Sequence, residues 1–474
     1  MHISSELKKA IINSLLGKYS LYIVQIVSLM VLARLFTPEQ FGVIAAAQVF
    51  LMFFQMLAIS GLAPAVVYQE AVPNTMRDGV FSFTCLLGFL LAIVFLLVAK
   101  PLYNWFGFET GIFVFYALPV CVFFSALAMM PVASLQKDAK FIVIARAEIL
   151  SELIAFLACI VLSRYIDGLI ALAFKFILVP VLRFIFYYLF SKNTVVGRPR
   201  LGRDVKQVLV LYDYAKYQVA FNILNFFSRN LDNLLIAKFF GASLLGVYEK
   251  TYQVMRYPLQ LFTYAITPAL QPILTKYKAQ PDIVYKEFSV VAFRLALVGL
   301  FSATILYWHA TDVVFILFGD QWFAAVSFLK ILAISIPLQM VMSSTGGVFQ
   351  AFGATKAMFK CGVFSSIVTI SAVLAGIYYL DIELMCYLLV AAFSVNYIQC
   401  FYMLHRTVFK EQDSKKTIFL GFLVFSVFLN FIFLGDNSGS VSSYFDAVLS
   451  ISKSVLFLSI PMVLLFIFFK KINH

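Results

Sequence analysis

Long apolar runs separated by short polar segments repeat from one end of the chain to the other. A helix that crosses the hydrocarbon core of a bilayer needs about 20 predominantly apolar residues. Fourteen runs meet this requirement, and we predict membrane spans at approximately 15–34, 41–63, 80–99, 112–134, 147–163, 168–190, 217–238, 245–274, 289–308, 322–349, 358–379, 384–404, 417–434 and 447–469. The pattern therefore predicts an all-α, polytopic membrane protein with about 14 transmembrane helices.

The composition excludes several classes of protein. The 474 residues are 62% hydrophobic and 12% charged, with a mean hydropathy of +0.94, whereas soluble domains are about a quarter charged. A soluble enzyme, a disordered protein and a secreted disulfide scaffold are therefore excluded. All six cysteines lie within apolar runs and no CxxC motif occurs, and the four histidines are scattered. We expect neither a metal site nor a cofactor.

The net charge of +13 reflects the orientation of the chain in the membrane and gives no reason to expect a nucleic-acid partner. With the N-terminus inside, the cytoplasmic segments hold about 22 basic residues, an excess typical of cytoplasmic loops. The opposite loops hold only four, Arg34, Lys100, Arg164 and Lys238. Both termini are therefore predicted to be cytoplasmic. The first residues are basic and amphipathic and lead directly into the first span, so no cleavable signal peptide is expected.

Two segments of the chain resemble each other at a constant offset of 204 residues. The segment VLARLFTPEQFGVIAAAQVF aligns with LIAKFFGASLLGVYEKTYQV, so that Gly42 matches Gly246 and Pro64 matches Pro268. Chance similarity between apolar segments is the alternative interpretation. An offset of about six spans preserves topology, as in transporters built from parallel repeats.

The repeat predicts two pseudo-symmetric six-helix lobes around a central cavity, with two extra helices at the C-terminus. The lobes are predicted at 1–190 and 217–404, and the appendage at 405–474. The segment 191–216 would be a cytoplasmic linker, since it contains the longest connection and is rich in arginine, glycine and proline. It is predicted to act as a hinge, to face anionic lipid, or both.

Ionisable side chains within spans are costly, about 2.5–3.5 kcal/mol each on insertion scales, and they normally face a cavity. Arg229 and Arg256 lie near the centres of the seventh and eighth spans. At 100° per residue, one face of the seventh span collects Asn222, Asn225, Arg229, Asp232 and Asn233. One face of the eighth collects Glu249, Gln253, Arg256, Gln260, Thr263 and Thr267.

The first lobe has a weaker polar face, formed by Lys18, Tyr22 and Gln25 of span 1. The charge of the cavity is therefore expected mainly on the second lobe. Snorkelling toward the interface is the favoured interpretation for six other basic residues within spans or at their edge, namely Lys175, Arg183, Lys216, Arg294, Lys330 and Lys453.

Two interpretations of the charged faces remain open. They line a solvated cavity with a basic centre, or Arg229, Asp232, Glu249 and Arg256 form a buried structural network. The chain lacks a GxxxxGKS or GxxxxGKT phosphate loop, and it lacks GxSxG and HExxH motifs. A membrane protein with polar faces through the bilayer but without these reactive motifs is expected to be a transporter, not an enzyme.

The repeat regions also carry a family resemblance. RNLDNLLIAKFFGASLLGVYEKTYQVMRYPLQ, ARLFTPEQFGV and SLQKDAKF resemble the polysaccharide transporter family. Its members are Wzx-type flippases of O-antigen and exopolysaccharide repeat units, within the multidrug/oligosaccharidyl-lipid/polysaccharide flippase superfamily. The resemblance implies two lobes around a V-shaped cavity, a bacterial inner membrane, and an undecaprenyl-pyrophosphate-linked oligosaccharide as cargo. It also implies cationic residues in the cavity, a role that Arg229, Arg256, Lys250 and Lys18 could fill.

The chemistry of such a cargo agrees with the polar faces. Sugar hydroxyls are costly to strip of water without new partners, and arginines can bind a pyrophosphate bidentately. The predicted substrate-binding residues are Arg229, Arg256, Lys250, Lys18, Asn225, Gln253, Gln260, Tyr22 and Gln25. The predicted ion-coupling residues are Asp232 and Glu249. The expected mechanism is alternating access driven by an ion gradient, the membrane potential or downstream consumption.

The expected partners are the lipid-linked oligosaccharide, membrane lipids, a polysaccharide polymerase and a chain-length regulator.

Three alternative functions remain. A multidrug exporter of the same superfamily would favour an acidic centre for cationic drugs, which this chain lacks. A non-transporting scaffold of the polysaccharide machinery would not need two polar faces. A flippase for another polyprenyl-linked precursor would share the mechanism.

Overall fold

The computed structural model describes residues 2–59, 62–209, 222–223, 226, 229–275, 277, 280–409 and 444–472, and no strand occurs within these ranges. The helices are α1 (His2–Leu35), α2 (Pro38–Ile59), α3 (Leu62–Tyr68), α4 (Asn74–Phe106), α5 (Ile112–Ala117), α6 (Pro119–Lys137), α7 (Phe141–Leu162), α8 (Gly168–Phe190), α9 (229–239), α10 (Gly241–Thr275), α11 (Pro281–Trp308), α12 (Ala310–Leu317), α13 (Ala325–Ala333), α14 (Ile336–Ala351), α15 (Thr355–Tyr378), α16 (Ile382–Thr407) and α17 (Tyr444–Ile472). One-turn 3-10 helices occupy Ser191–Asn193, Val205–Val208 and Asp320–Trp322.

Eight helical segments of the described chain are long and apolar enough to cross a membrane: Leu15–Leu35, Pro38–Val67, Asn74–Phe106, Ile112–Lys137, Gly168–Asn193, Pro281–Trp308, Thr355–Tyr378 and Ile382–Thr407. The pair α13 and α14, bent by 54°, makes a ninth if it forms one broken span. The all-α, multi-pass fold class is thus confirmed. The count of fourteen stays a prediction. The predicted spans at 147–163, 245–274 and 447–469 are not among these segments, and the span at 417–434 and part of the one at 217–238 lie outside the described residues.

The helices divide into two compact units, Met1–Gly246 and Val247–His474. In the first unit, α6 packs against α2, α3, α4 and α8, while α7 packs against α1 and α8. In the second unit, α11 packs against α13, α14 and α17, and α15 pairs with α16. The predicted lobes at 1–190 and 217–404 stay a prediction.

The chain that follows α8 is fixed along the start of α4. The Arg77 guanidinium donates to the carbonyl oxygen of Val196 at 2.9 Å. The backbone N–H of Arg200 donates to Asp78 Oδ1 at 2.9 Å, and that of Gly202 donates to a hydroxyl of α4. The first half of the predicted linker is therefore anchored to the first unit, whereas residues 210–216, which include Lys216, lie outside the described residues.

The last helix, α17, packs on α11 and α12 of the second unit. His309, which is buried at the junction of α11 and α12, lies 2.7 Å through Nδ1 from Asp312 Oδ2. Its Nε2 lies 2.8 Å from the Ser454 hydroxyl of α17. Because buried polar groups are normally hydrogen-bonded, these contacts attach the described part of the predicted appendage to the unit.

Helices α2 and α10 meet within the first unit at two glycines. A Cβ on Gly42 would overlap the carbonyl oxygen of Ala242, and a Cβ on Gly246 would overlap that of Pro38. Pro38 and Ala242 are themselves 204 residues apart, so the two contacts are reciprocal under the offset of the sequence repeat. Reciprocal contacts are what a twofold-related pair produces, which supports the repeat against chance similarity.

We expect Gly42→Ala to lower the thermal stability of the purified protein, because the backbones of α2 and α10 approach too closely to admit a Cβ. Overpacking typically costs about 1–3 kcal/mol. Gly362→Ala in α15 is the matched control, since nothing lies within 4 Å of a Cβ there and alanine favours a helix. Thermal unfolding in detergent measures both. Equal stability of the two variants would contradict the expectation.

Candidate functional site

Polar side chains of α10, among them Glu249 and Gln253 of the face predicted on the eighth span, form a ladder of contacts along the helix. Lys250 Nζ lies 2.7 Å from Glu249 Oε2 and donates to Gln253 Oε1 at 3.3 Å. The Gln253 amide donates in turn to the Tyr257 hydroxyl at 3.1 Å. Lys250 is buried, and its pairing with a carboxylate offsets the cost of that burial. The ladder brings together two predicted substrate-binding residues and the predicted ion-coupling residue Glu249.

Arg256 lies on the same helix but differs from Lys250 in its surroundings. Its side chain is exposed, and the guanidinium carbon lies 4.4 Å from the centroid of the Tyr252 ring. A cation over an aromatic face is attracted by the ring quadrupole, so Tyr252 positions the guanidinium without neutralising it. Gln260, one turn further on, is half-buried.

The helix α9 carries Arg229, Asp232 and Asn233 of the polar face predicted on the seventh span, and Asn222 of that face lies before it, half-buried. Arg229 is exposed, whereas Asp232 and Asn233 are half-buried. Asp232 Oδ1 accepts a hydrogen bond from the backbone N–H of Asn233 at 2.8 Å. Asn225 lies outside the described residues.

The weaker polar face of the first span lies on α1. Lys18 is exposed there, and Tyr22 and Gln25 are half-buried. The roles assigned to these three residues, like those on α9 and α10, stay predictions.

A cavity of about 760 Å³ that was not predicted from the sequence lies inside the first unit, formed by α2, α3, α6, α7 and α8. Small-molecule sites typically measure about 300–1,000 Å³, so it could hold a ligand of that class. The side chains that line it are Gln48, Leu51, Met52, Gln55, Ile59, Ala63, Pro64, Ser125, Ala128, Met129, Val132, Gln136, Glu148, Glu152, Lys175, Phe176, Val179, Pro180, Arg183 and Tyr187.

Two carboxylates and two cations face this cavity. Lys175 Nζ on α8 forms an ion pair with Glu152 Oε1 on α7 at 2.6 Å. Glu148, one turn before Glu152, accepts a hydrogen bond from the Tyr187 hydroxyl at 3.1 Å. Arg183 lies on the same lining, and its Nε is buried without a hydrogen-bond partner among the described residues. The cavity therefore holds four ionisable groups whose formal charges balance.

The interpretation that Lys175 snorkels is wrong. Its side chain is only 11% exposed and is held by a carboxylate that is 8% exposed. The spacing of the charged residues could have indicated this cavity from the sequence. Glu148 and Glu152 are four residues apart, and Lys175 and Arg183 are eight residues apart. Each pair therefore lies on one face of its helix.

Metal chemistry is not indicated by the described part of the chain. No group of three or more His, Cys, Asp or Glu side chains there could hold a metal ion. The chemistry that the described groups offer is hydrogen bonding and charge complementarity: an exposed guanidinium on α10, and a charge-balanced, hydrogen-bonding cavity in the first unit.

The sequence is similar to a known protein family and to bacterial proteins. The model of a family described as polysaccharide biosynthesis protein matches residues 31–327. The chain is 22% identical over 337 residues to the teichuronic acid biosynthesis protein TuaB of Bacillus subtilis, covering 71% of this chain and 69% of that one. It is 21% identical over 369 residues to the succinoglycan biosynthesis transport protein ExoT of Rhizobium meliloti, covering 77% and 73%.

The fold is also similar to that of a solved transporter. It superposes on the inward closed conformation of the lipid II flippase MurJ with a TM-score of 0.73, covering 97% of this chain and 99% of the other. The sequence identity is 14%, so this likeness establishes the fold and leaves the cargo open.

Proposed function

The chain belongs to the polysaccharide biosynthesis protein family and has a flippase-type transporter fold, and from this premise we propose that it translocates undecaprenyl-pyrophosphate-linked oligosaccharide repeat units. The direction would be from the cytoplasmic to the outer leaflet of the bacterial inner membrane, with both termini in the cytoplasm. The resemblance stated from the sequence is confirmed by the family match. The lipid-linked cargo and the direction of transport are the proposal.

The observation that carries the proposal is the exposed guanidinium of Arg256 on α10, the helix that contains the predicted eighth span. A cation at such a depth is costly and normally serves a pathway. A planar guanidinium binds a pyrophosphate bidentately. Arg229, also exposed on its helix, would supply a second guanidinium, and Lys18 a further positive charge.

The remaining predicted residues would replace water around the sugars. Hydroxyl groups lose several kcal/mol in hydrocarbon unless they find partners. The amides of Gln253 and Gln260 would offer such partners on α10, and Tyr22, Gln25 and Asn225 would do so elsewhere. Asp232 and Glu249 would couple transport to an ion gradient by changing their protonation or ion occupancy. Alternating access would then release the unit to a polymerase and its chain-length regulator.

Deletion of the protein from its producing bacterium tests the proposal. We expect the lipid-linked repeat unit to accumulate on the cytoplasmic face, where a membrane-impermeant sugar-oxidising reagent cannot label it in spheroplasts. Restoring the wild-type protein should restore labelling. Labelling of the unit in the deletion strain would refute the flippase proposal, and export of cationic drugs would then be the activity to assay.

A further inference from the structure

We propose that the cavity of the first unit is a binding site for uncharged sugar rings of the cargo, separate from the residues that bind its pyrophosphate. The inference rests on the proposed function and deepens it. The feature behind it is the placement of Glu148, Glu152, Lys175 and Arg183 around one cavity of about 760 Å³. None of these residues was predicted to bind substrate from the sequence.

The charge balance of the cavity disfavours a pyrophosphate. Lys175 is held by Glu152 at 2.6 Å, so its charge is largely offset within the pair. Glu148 contributes a second carboxylate and Arg183 a second cation. An anion entering this cavity would meet two carboxylates in a low-dielectric environment, where repulsion is stronger than in water. An uncharged ligand meets no such penalty.

The hydrogen-bonding groups of the cavity suit hydroxyls. The buried Nε of Arg183 has no acceptor among the described residues, and leaving a buried donor unsatisfied costs about 1–3 kcal/mol. A sugar hydroxyl would supply that acceptor. The Glu148 carboxylate accepts one bond from Tyr187 and has lone pairs to accept more. Guanidinium and carboxylate groups are planar and bidentate, which matches pairs of neighbouring hydroxyls on a ring.

The polar groups are set in an apolar lining. Met52, Phe176, Val179 and Pro180 contribute to the walls between them. A pyranose ring presents hydroxyls at its edge and C–H groups on its faces, so it needs both kinds of surface. Sites that combine an apolar lining with a few well-placed polar groups are typical of small-ligand recognition. The cavity has both components, and its size suits a sugar better than a single ion.

Binding of two probes to the purified protein tests the inference. The first probe is the lipid-linked oligosaccharide extracted from the producing strain, and the second is undecaprenyl pyrophosphate without sugar. We expect Arg183→Gln to weaken binding of the first by about tenfold, as the loss of one charged hydrogen bond implies. It should leave binding of the second within about twofold. Ile185→Ala, on the exposed face of the same helix, should change neither.

Further variants separate the possible failures. Gln136→Leu, at an exposed position on the lining, provides a second test if Arg183→Gln does not fold. Arg256→Gln should weaken both probes, because the pyrophosphate is common to them. Equal weakening of both probes by Arg183→Gln and Gln136→Leu, or no weakening of either, would overturn the sugar site and leave the flippase proposal standing. If the wild type binds neither probe, both proposals fall.

Discussion

The double variant Arg229→Gln with Arg256→Gln is expected to slow translocation of the lipid-linked oligosaccharide by about tenfold to a hundredfold. A hydrogen bond to a charged group contributes about 1.5–3 kcal/mol, and each 1.4 kcal/mol corresponds to a factor of ten. Both guanidiniums are exposed on their helices, so their removal leaves no buried partner without a bond. We therefore expect the loss to fall on transport and not on folding.

The measurement is the rate at which the oligosaccharide becomes accessible across the membrane of proteoliposomes that contain each variant. The matched control is Arg146→Gln with Arg406→Gln. This control also removes two positive charges, but from exposed positions near helix ends. It should transport the oligosaccharide within about twofold of the wild-type rate. Arg229→Lys with Arg256→Lys keeps the charge but loses the planar fork, so an intermediate rate is expected.

Two results would contradict the expectation. Wild-type transport by the double glutamine variant at equal protein levels would show that the guanidiniums do not bind cargo. An equal loss in the Arg146 and Arg406 control would show that net charge, and not position, sets the rate. In either case the structural interpretation of the charged faces would be favoured.

The apolar pattern predicted the helices well because each span is a local property of the chain. The eighth span was predicted at 245–274, and α10 occupies Gly241–Thr275. The extra turn begins at Gly241, whose φ of +85° suits glycine and allows the break that follows α9. Boundaries of this kind depend on turn conformation, which the hydropathy of the chain does not encode.

The charged cavity was missed because it depends on how two helices lie against each other. Glu152 and Lys175 are 23 residues apart on different helices, and Lys175 by itself resembles a residue that snorkels to the interface. Their pairing requires the register of α7 against α8, which hydrophobic periodicity does not determine. The ladder on α10 was more accessible to prediction, since its members share one helix face.

The single variant Glu152→Leu is expected to lower the free energy of unfolding by about 3–5 kcal/mol, because it leaves Lys175 as a buried charge without its partner. Lys175 is buried, and its ammonium lies 2.6 Å from the carboxylate that would be lost. The double variant Glu152→Leu with Lys175→Met removes both charges. Replacing a buried pair by apolar residues is often neutral or stabilising, so it should recover most of the loss.

Thermal unfolding of the wild type, of Glu152→Leu and Lys175→Met alone, and of the double variant in detergent completes a cycle that measures the coupling between the two side chains. A single variant as stable as the wild type would show that the pair is not needed for the fold. If the double variant is stable and still binds the lipid-linked oligosaccharide, the pair serves the structure, and sugar binding is left to Glu148, Arg183 and the amides of the lining. If it is stable but no longer binds the oligosaccharide, Glu152 and Lys175 are part of the sugar site.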